Sequence, residues 1–257
     1  MMEQDAFQII DNIYYVGTKK VSSHLFTSSY GHVLIDACFP EDGSTILQNI
    51  KTLDIDPRDI RYLLITHAHI DHLGSAAYLA DQTGACVCIG KRDVPAVEQG
   101  SKTQYDLTGF MPFKIDKTLS EGDNINLGRI SIQIYDTPGH TPGCCSFGFE
   151  VEDRGKRYDG MLFGGPGVNV FQKENLKRNI YGGTIKDFMS SVRRLLTFDA
   201  DVWLGAHPGQ NNTFEKREEL QQGKEPNPYV DPEGWKDFLK KCLLNAEHLL
   251  PGETVEP

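Results

Sequence analysis

The sequence contains no run of apolar residues approaching the ~18 to 20 that a helix needs to cross a bilayer, which excludes a helical membrane span. Its first residues, Met1-Met2-Glu3-Gln4-Asp5, carry acid where a secretory leader needs a basic end followed by an apolar core. The expectation is a cytoplasmic location for the chain as it stands, and a periplasmic or secreted one for a chain whose leader has been removed. Positive charge is also short, because 26 Lys and Arg against 36 Asp and Glu leave a net charge of −10. Without a basic face for phosphates, nucleic acid is excluded as an expected partner. Cysteine spacing of a disulfide framework is missing as well: Cys38, Cys86, Cys88, Cys144, Cys145 and Cys242 form no recognisable pairs, and 257 residues bury enough core to need none. Six reduced thiols are expected. Cys86 and Cys88 would share one face of a strand and are read as small buried hydrophobes, whereas adjacent Cys144 and Cys145 would point to opposite faces. With no linker, low-complexity segment or repeat, residues 1–257 are read as a single domain.

Histidine is concentrated instead. The run Leu64-Ile65-Thr66-His67-Ala68-His69-Ile70-Asp71-His72-Leu73-Gly74 places three histidines and a carboxylate within six residues, directly after an apolar stretch that reads as a buried strand. Imidazole and carboxylate are the ligands that a borderline cation such as zinc prefers, and a loop leaving a strand end lets several side chains turn toward one point.

Around this motif the first 65 residues alternate short strand-like runs with turn signals: Phe7 to Ile10, Ile13 to Val16, Leu25 to Ser28 and Val33 to Asp36, with Tyr30-Gly31 as a hairpin turn between the last two. A helix follows from Ser44, with Ile46, Leu47, Ile50 and Leu53 at helical spacing, and the strand Tyr62 to Ile65 delivers the motif. Gly74 to Thr83 reads as a helix stopped by Gly84. Further strands are expected at Ile125 to Leu127, Ile130 to Ile134, Cys144 to Phe149, Met161 to Phe163 and Val202 to Leu204, with helices at Ile185 to Leu196 and Pro232 to Leu250. Two sheets with outer helices are implied. Mobile loops are expected at Gln99 to Lys117 and Pro166 to Gly183.

Two more histidines sit in matching contexts, His140 in Asp136-Thr137-Pro138-Gly139-His140-Thr141-Pro142-Gly143 and His207 in Leu204-Gly205-Ala206-His207-Pro208-Gly209. Each follows an apolar strand and is fenced by Gly or Pro, which suits a tight turn at a strand end. Alone, either is a turn histidine bonded to backbone; beside the first motif, both read as ligands. His24 is expected at the site mouth, His32 at the end of a hairpin, and His248 on a solvated late helix.

These residues carry a resemblance to the metallo-β-lactamase superfamily, and within it to the third subclass of class B β-lactamases. It runs from Val21-Ser22-Ser23-His24-Leu25-Phe26 and Gly31-His32-Val33-Leu34-Ile35-Asp36, through the motif and the His140 turn, to His207-Pro208-Gly209 and Asn227-Pro228-Tyr229-Val230-Asp231-Pro232. The resemblance implies an α+β fold, a four-layer αββα sandwich, with two Zn2+ ions at one edge. It also implies that His67, His69 and His140 hold the first zinc, and Asp71, His72 and His207 the second. Many superfamily hydrolases, the glyoxalase II and lactonase branches among them, place a metal-bridging aspartate after the Met161-Leu162-Phe163 strand, and other β-lactamase subclasses a cysteine. Here Gly164-Gly165-Pro166-Gly167-Val168 supplies no ligand, as in the third subclass. That subclass often has serines here that hold the substrate carboxylate, and Pro166 and Val168 offer no hydroxyl. A cysteine pair common near the C-terminal helix is also missing, with Ala200 and Trp235 near its places.

The reaction so implied is attack of an ionised water, shared by zincs ~3.5 to 4 Å apart, on a strained amide or ester carbonyl, with Asp71 as the catalytic carboxylate. The substrate is expected to be a small, anionic molecule. Two rival readings stay open: a lactone, thioester or other carbonyl hydrolase on the same sandwich, and a zinc-binding sensor without turnover. Six ligands weigh against the sensor, since a structural zinc needs four and leaves no open position.

Overall fold

The computed structural model describes residues 5–100, 112–178 and 180–250. Strands β1 (Phe7–Ile10), β2 (Ile13–Tyr15), β3 (His24–Ser28) and β4 (Gly31–Ile35) form an antiparallel meander. To it β5 (Ile60–Ile65), β6 (Cys86–Gly90) and β7 (Lys117–Leu119) add in parallel, giving a seven-stranded sheet in sequence order. A second sheet runs in the order β12 (Val202–Leu204), β11 (Lys156–Leu162), β10 (Cys145–Asp153), β9 (Ile130–Asp136) and β8 (Asn124–Leu127), all antiparallel except the β11–β12 pair.

The sheets pack because their strands alternate. Ile130, Ile132 and Ile134 of β9 face a core between the sheets, while Ser131 and Gln133 face outward. Each buried isoleucine contributes roughly 1.5 to 3 kcal/mol by leaving water, so a one-residue slip that exposed all three is excluded. Where a strand is covered on both sides, alternation becomes a continuous apolar run. Leu64 of β5 and Val33 and Ile35 of β4 meet the second sheet, whereas Leu63, Ile65 and Leu34 face α1 (Gly43–Lys51) and α3 (Ala76–Thr83). On the far side Met161 and Trp203 lie under α6 (Ile185–Leu195) and α8 (Pro232–Glu247). Three apolar interfaces thus separate four layers, helix, sheet, sheet and helix, as expected for the αββα sandwich.

Several elements depart from expectation. The helix read over Gly74 to Thr83 is α3, opening two residues later than read and ended as expected by Gly84, in the left-handed region at φ 75°; a separate short helix, α2 (Ile70–Leu73), precedes it. Gly74 stands between the two helices, where a Cβ would lie 2.4 Å from the Ile70 carbonyl oxygen and 2.5 Å from Pro40. The expected strands at Cys144 to Phe149 and Met161 to Phe163 are the ends of one longer hairpin, β10 and β11. The short helices α4 (Val94–Glu98) and α5 (Lys173–Lys177) and the polar α7 (Thr213–Gln221) carry no apolar stripe and gave no periodic signal. Helix α5 and a 3-10 turn at Asn169–Phe171 lie inside the segment read as the loop Pro166 to Gly183. The loop read at Gln99 to Lys117 falls largely on residues 101–111, outside the described residues, and Lys117 opens β7.

All six cysteines are free. Cys86 and Cys88 share a face with sulfurs 3.8 Å apart, and Cys145 enters the inter-sheet core while Cys144 turns toward Thr137. Near Ala200, α8 is held by packing and hydrogen bonds: Trp235 is fully buried and its indole N–H donates to the Phe198 carbonyl at 3.2 Å, and the Lys236 ammonium donates to the same carbonyl at 2.7 Å. No described helix is long and apolar enough to cross a membrane.

Candidate metal centre

The strand ends β5, β9 and β12 open onto one edge of the sandwich, and each delivers histidine. After Ile65 the chain leaves the sheet at Thr66, whose backbone N–H donates to Asp36 Oδ1 at 2.8 Å and whose hydroxyl donates to Asp36 Oδ2 at 2.9 Å. Asp36 itself directly follows β4, with φ 64°, and is buried. His69 then precedes α2 in an extended conformation and its carbonyl accepts from His72 N, so Asp71 and His72 are set in the first helical turn. His140 stands on a turn whose Gly139, at φ 137°, lies against the backbone of Phe188; a Cβ there would sit 2.3 Å from Phe188 N. His207 follows β12, with its N–H donating to Gln210 Oε1 at 3.1 Å.

The six predicted side chains converge. One ligand atom from each of His67, His69 and His140 lies within 4.8 Å of the others, and the same holds for Asp71, His72 and His207. Every imidazole has one nitrogen committed to the protein. His67 Nδ1 meets the Thr66 hydroxyl at 3.0 Å, His72 Nδ1 meets Asp36 Oδ2 at 2.8 Å, His140 Nδ1 meets the Gly167 carbonyl at 2.6 Å, and His207 Nδ1 meets the Lys20 carbonyl at 2.9 Å. His69 Nε2 is bonded to the Tyr181 carbonyl. Such partners fix the tautomer and leave the opposite nitrogen as a lone pair aimed inward. Those remaining nitrogens are the ones that cluster. His69 Nδ1 lies 3.0 Å from His140 Nε2, near the ~3.3 Å edge of a tetrahedron with ~2.05 Å bonds. Asp71 Oδ2 lies 3.5 Å from His72 Nε2 and 3.6 Å from His207 Nε2.

Two atoms test whether a cation belongs here. His67 Nε2 and Asp71 Oδ1 are buried with no hydrogen-bond partner. A buried acceptor left unpaired costs about 1 to 3 kcal/mol, so the arrangement is understandable when a positive ion supplies the missing interaction. The protonation states of four of the five histidines agree. Burial, then the neighbouring imidazoles, holds His67 and His140 well below the usual histidine range, and burial brings His69 down to about 4. His207 is lowered by burial and by His72. Burial also pushes His72 down, but Asp71 and Asp36 together outweigh it and leave His72 raised. The first set offers three neutral nitrogens and the second two nitrogens and a carboxylate, donors that suit a borderline divalent ion such as zinc.

The segment after β11, Gly164-Gly165-Pro166-Gly167-Val168, carries no ligand side chain, and Gly165 has no room for one. A Cβ at Gly165 would sit 2.6 Å from His140 Cβ. Among the other histidines, His24 does not line the site mouth: it is buried in the core with its ring edge-on to Tyr15 at 5.7 Å. Its position on β3, paired with Ile35 and Tyr15, points it into the sandwich. His32 closes the β3–β4 hairpin by accepting from Ser28 N at 3.4 Å, and exposed His248 caps α8. Asp36, Asp93 and Tyr181 support the site and were not singled out from the sequence. The available signal was a lone acid directly beyond an apolar strand, as at Val33-Leu34-Ile35-Asp36.

The ligands line a cavity of about 60 Å3 that shares Pro166, Gly167 and Gln210 with a wider groove of about 430 Å3 running to α8. With this geometry in place, the likenesses to known proteins become specific. The native FEZ-1 metallo-β-lactamase from Legionella gormanii is 30% identical with a TM-score of 0.88, covering 96% of this chain and 96% of that one. BJP-1, a subclass B3 metallo-β-lactamase of Bradyrhizobium japonicum, is 30% identical with a TM-score of 0.87, over 96% and 94% of the two chains. Hydroxyacylglutathione hydrolase GloC of Haemophilus influenzae is 26% identical over 74% of this chain and 84% of its own length. Residues 16–154 match the family model described as the metallo-β-lactamase superfamily, so this four-layer chain with its two ligand clusters belongs to that superfamily.

Proposed function

We propose that the protein is a dizinc hydrolase of β-lactam amides. His67, His69 and His140 would hold the first ion, and Asp71, His72 and His207 the second. Bound there, paired zinc ions supply Lewis acidity toward an acyl carbonyl and toward water. The chain supplies the rest. Asp71, whose Oδ2 lies 3.5 and 3.6 Å from the ring nitrogens of its two histidines, is the carboxylate beside the ligand set that would accept a proton from the attacking water and pass it to the leaving nitrogen. Asp36 holds His72 in one tautomer directly and His67 through the Thr66 hydroxyl. The groove sharing Pro166 and Gln210 offers room for the body of the substrate beyond the small ligand-lined cavity. The substrate is small and anionic, since two cations create a positive site in a chain of net charge −10.

The observation that carries this reading is the whole-chain likeness to two β-lactamases, combined with a ligand set complete without any residue of Gly164 to Val168. The likeness to GloC favours a second reading, thioester hydrolysis, but the chain has no carboxylate at Gly164 to Val168 where that branch places its bridging aspartate. A panel of penicillins, cephalosporins, carbapenems, acyl-glutathione thioesters and lactones, assayed with and without chelator, separates them. Chelator-sensitive β-lactam cleavage is expected; cleavage of thioester alone transfers the assignment to the second reading.

A further inference from the structure

Asp93 lies beyond β6, outside both ligand sets, and is fully buried. Four groups donate to its carboxylate. Oδ2 accepts from Ala68 N at 2.8 Å and from the Thr141 hydroxyl at 2.7 Å; Oδ1 accepts from Gly143 N at 2.6 Å and from the Tyr181 hydroxyl at 3.2 Å, whose proton is shared with the Arg92 carbonyl at 3.1 Å. Each donor belongs to a segment that places a ligand of the first set. Ala68 separates His67 from His69, Thr141 and Gly143 follow His140, and Tyr181 is the residue whose carbonyl holds His69 Nε2. None of the four belongs to the Asp71, His72 and His207 set, which is braced instead by Asp36 and by the Lys20 carbonyl. The fit is tight, since a Cβ at Gly143 would lie 2.7 Å from the Asp93 carboxylate. Burial pushes the Asp93 carboxyl up, and the four donors pull it back toward the charged form.

We infer that Asp93 is the positioning residue of the first metal site, clamping the segment that carries His67 and His69, the segment that carries His140 and the Tyr181 segment that holds His69, and lending them the negative charge that three imidazoles lack. The inference rests on the reading of those histidines as metal ligands. A carboxylate with four donors from three segments couples their positions, so that losing it loosens all three nitrogens at once. Removal of a residue that orients ligands without touching the metal typically costs ~10- to 100-fold in metal affinity.

The test uses His207→Ala as background, which leaves one intact set, and His69→Ala as the reciprocal background. Chelator-stripped proteins are titrated with zinc against a chromophoric competitor and with cobalt(II), whose absorption reports ligand geometry. Asp93→Asn keeps the shape and removes the charge. In the His207→Ala background it is expected to weaken zinc binding 10- to 100-fold and to alter the cobalt band, and in the His69→Ala background to change affinity by less than threefold. Tyr181→Phe, which deletes one half-buried hydroxyl and keeps the carbonyl, is expected to weaken the first site alone by roughly threefold. If Asp93→Asn does not fold, an unchanged first-site constant in Tyr181→Phe overturns the inference. Equal weakening of both sites by Asp93→Asn, or no weakening of either, also overturns it. If the unmodified protein binds no zinc in the first set, the reading of the site itself has failed.

Discussion

Replacing Asp36 by Asn forces a choice that the structure makes explicit. The carboxylate accepts three hydrogen bonds, from Thr66 N to Oδ1 and from the Thr66 hydroxyl and His72 Nδ1 to Oδ2. An amide of the same shape has one acceptor oxygen and one NH2 group. If the oxygen stays on Thr66 N, the NH2 faces His72 Nδ1, and His72 must move its proton to Nε2, the nitrogen that should face the second ion. If the amide flips, NH2 faces the Thr66 N–H, leaving a buried donor unpaired at about 1 to 3 kcal/mol. The first outcome lowers second-site metal affinity by ~10- to 100-fold; the second preserves affinity and lowers stability. Zinc titration of Asp36→Asn, urea unfolding of the stripped protein and nitrogen-15 spectra of the histidine rings separate the outcomes. Affinity within twofold of wild type, together with unchanged stability and an unchanged His72 tautomer, would refute the role assigned to Asp36.

Asp71→Asn keeps a ligand oxygen but removes the proton acceptor, so kcat toward a cephalosporin is expected to fall by roughly 10^2- to 10^4-fold, beyond what partial loss of zinc explains when the metal is held saturating. The double change Pro166→Ser with Val168→Ser adds hydroxyl donors beside the cavity; bonds to a charged group contribute about 1.5 to 3 kcal/mol each, so kcat/KM for carboxylate-bearing β-lactams should rise about tenfold, and an equal rise for their methyl esters would contradict the reasoning. His24 is buried and neutral, with burial bringing it down to about 3, against an unfolded value near ~6.5. The unfolded chain therefore takes up a proton between pH 6.5 and 3 that the native chain refuses, and stability falls with acid by up to ~1.4 kcal/mol per pH unit from this group. In metal-free proteins compared by urea unfolding at pH 7 and pH 5, His24→Leu should lose less stability than wild type, and equal losses would remove His24 from the account.

The candidate metal ligands were legible because their signal is local and chemical. Four potential ligands in six residues are not a product of packing, and the Gly and Pro fencing of His140 and His207 matches the turns that present them. The strand Ile130 to Ile134 was legible because strict alternation has one structural meaning, whereas α7 was not, because a polar surface helix leaves no periodic trace. His24 was misplaced for a related reason: a histidine between Ser23 and Leu25 looks solvent-facing, and only the β2–β3–β4 pairing shows that its face is the buried one. Asp36 and Asp93 stayed hidden because their roles depend on contacts 25 to 50 residues away, with Thr66, Ala68, Thr141 and Gly143. Nothing in their immediate neighbours distinguishes them from strand-end acids in solvent.

The central claim is that two metal ions, held by two sets of three side chains, are both required to cleave a β-lactam. Stripped protein titrated with zinc, with bound metal and hydrolysis of a chromogenic cephalosporin followed together, tests it most directly. The account predicts that activity climbs to a plateau at two equivalents per chain and is lost in both His69→Ala and His207→Ala. A plateau at one equivalent, full activity in His207→Ala, or protein carrying two zincs that leaves every β-lactam intact would contradict it.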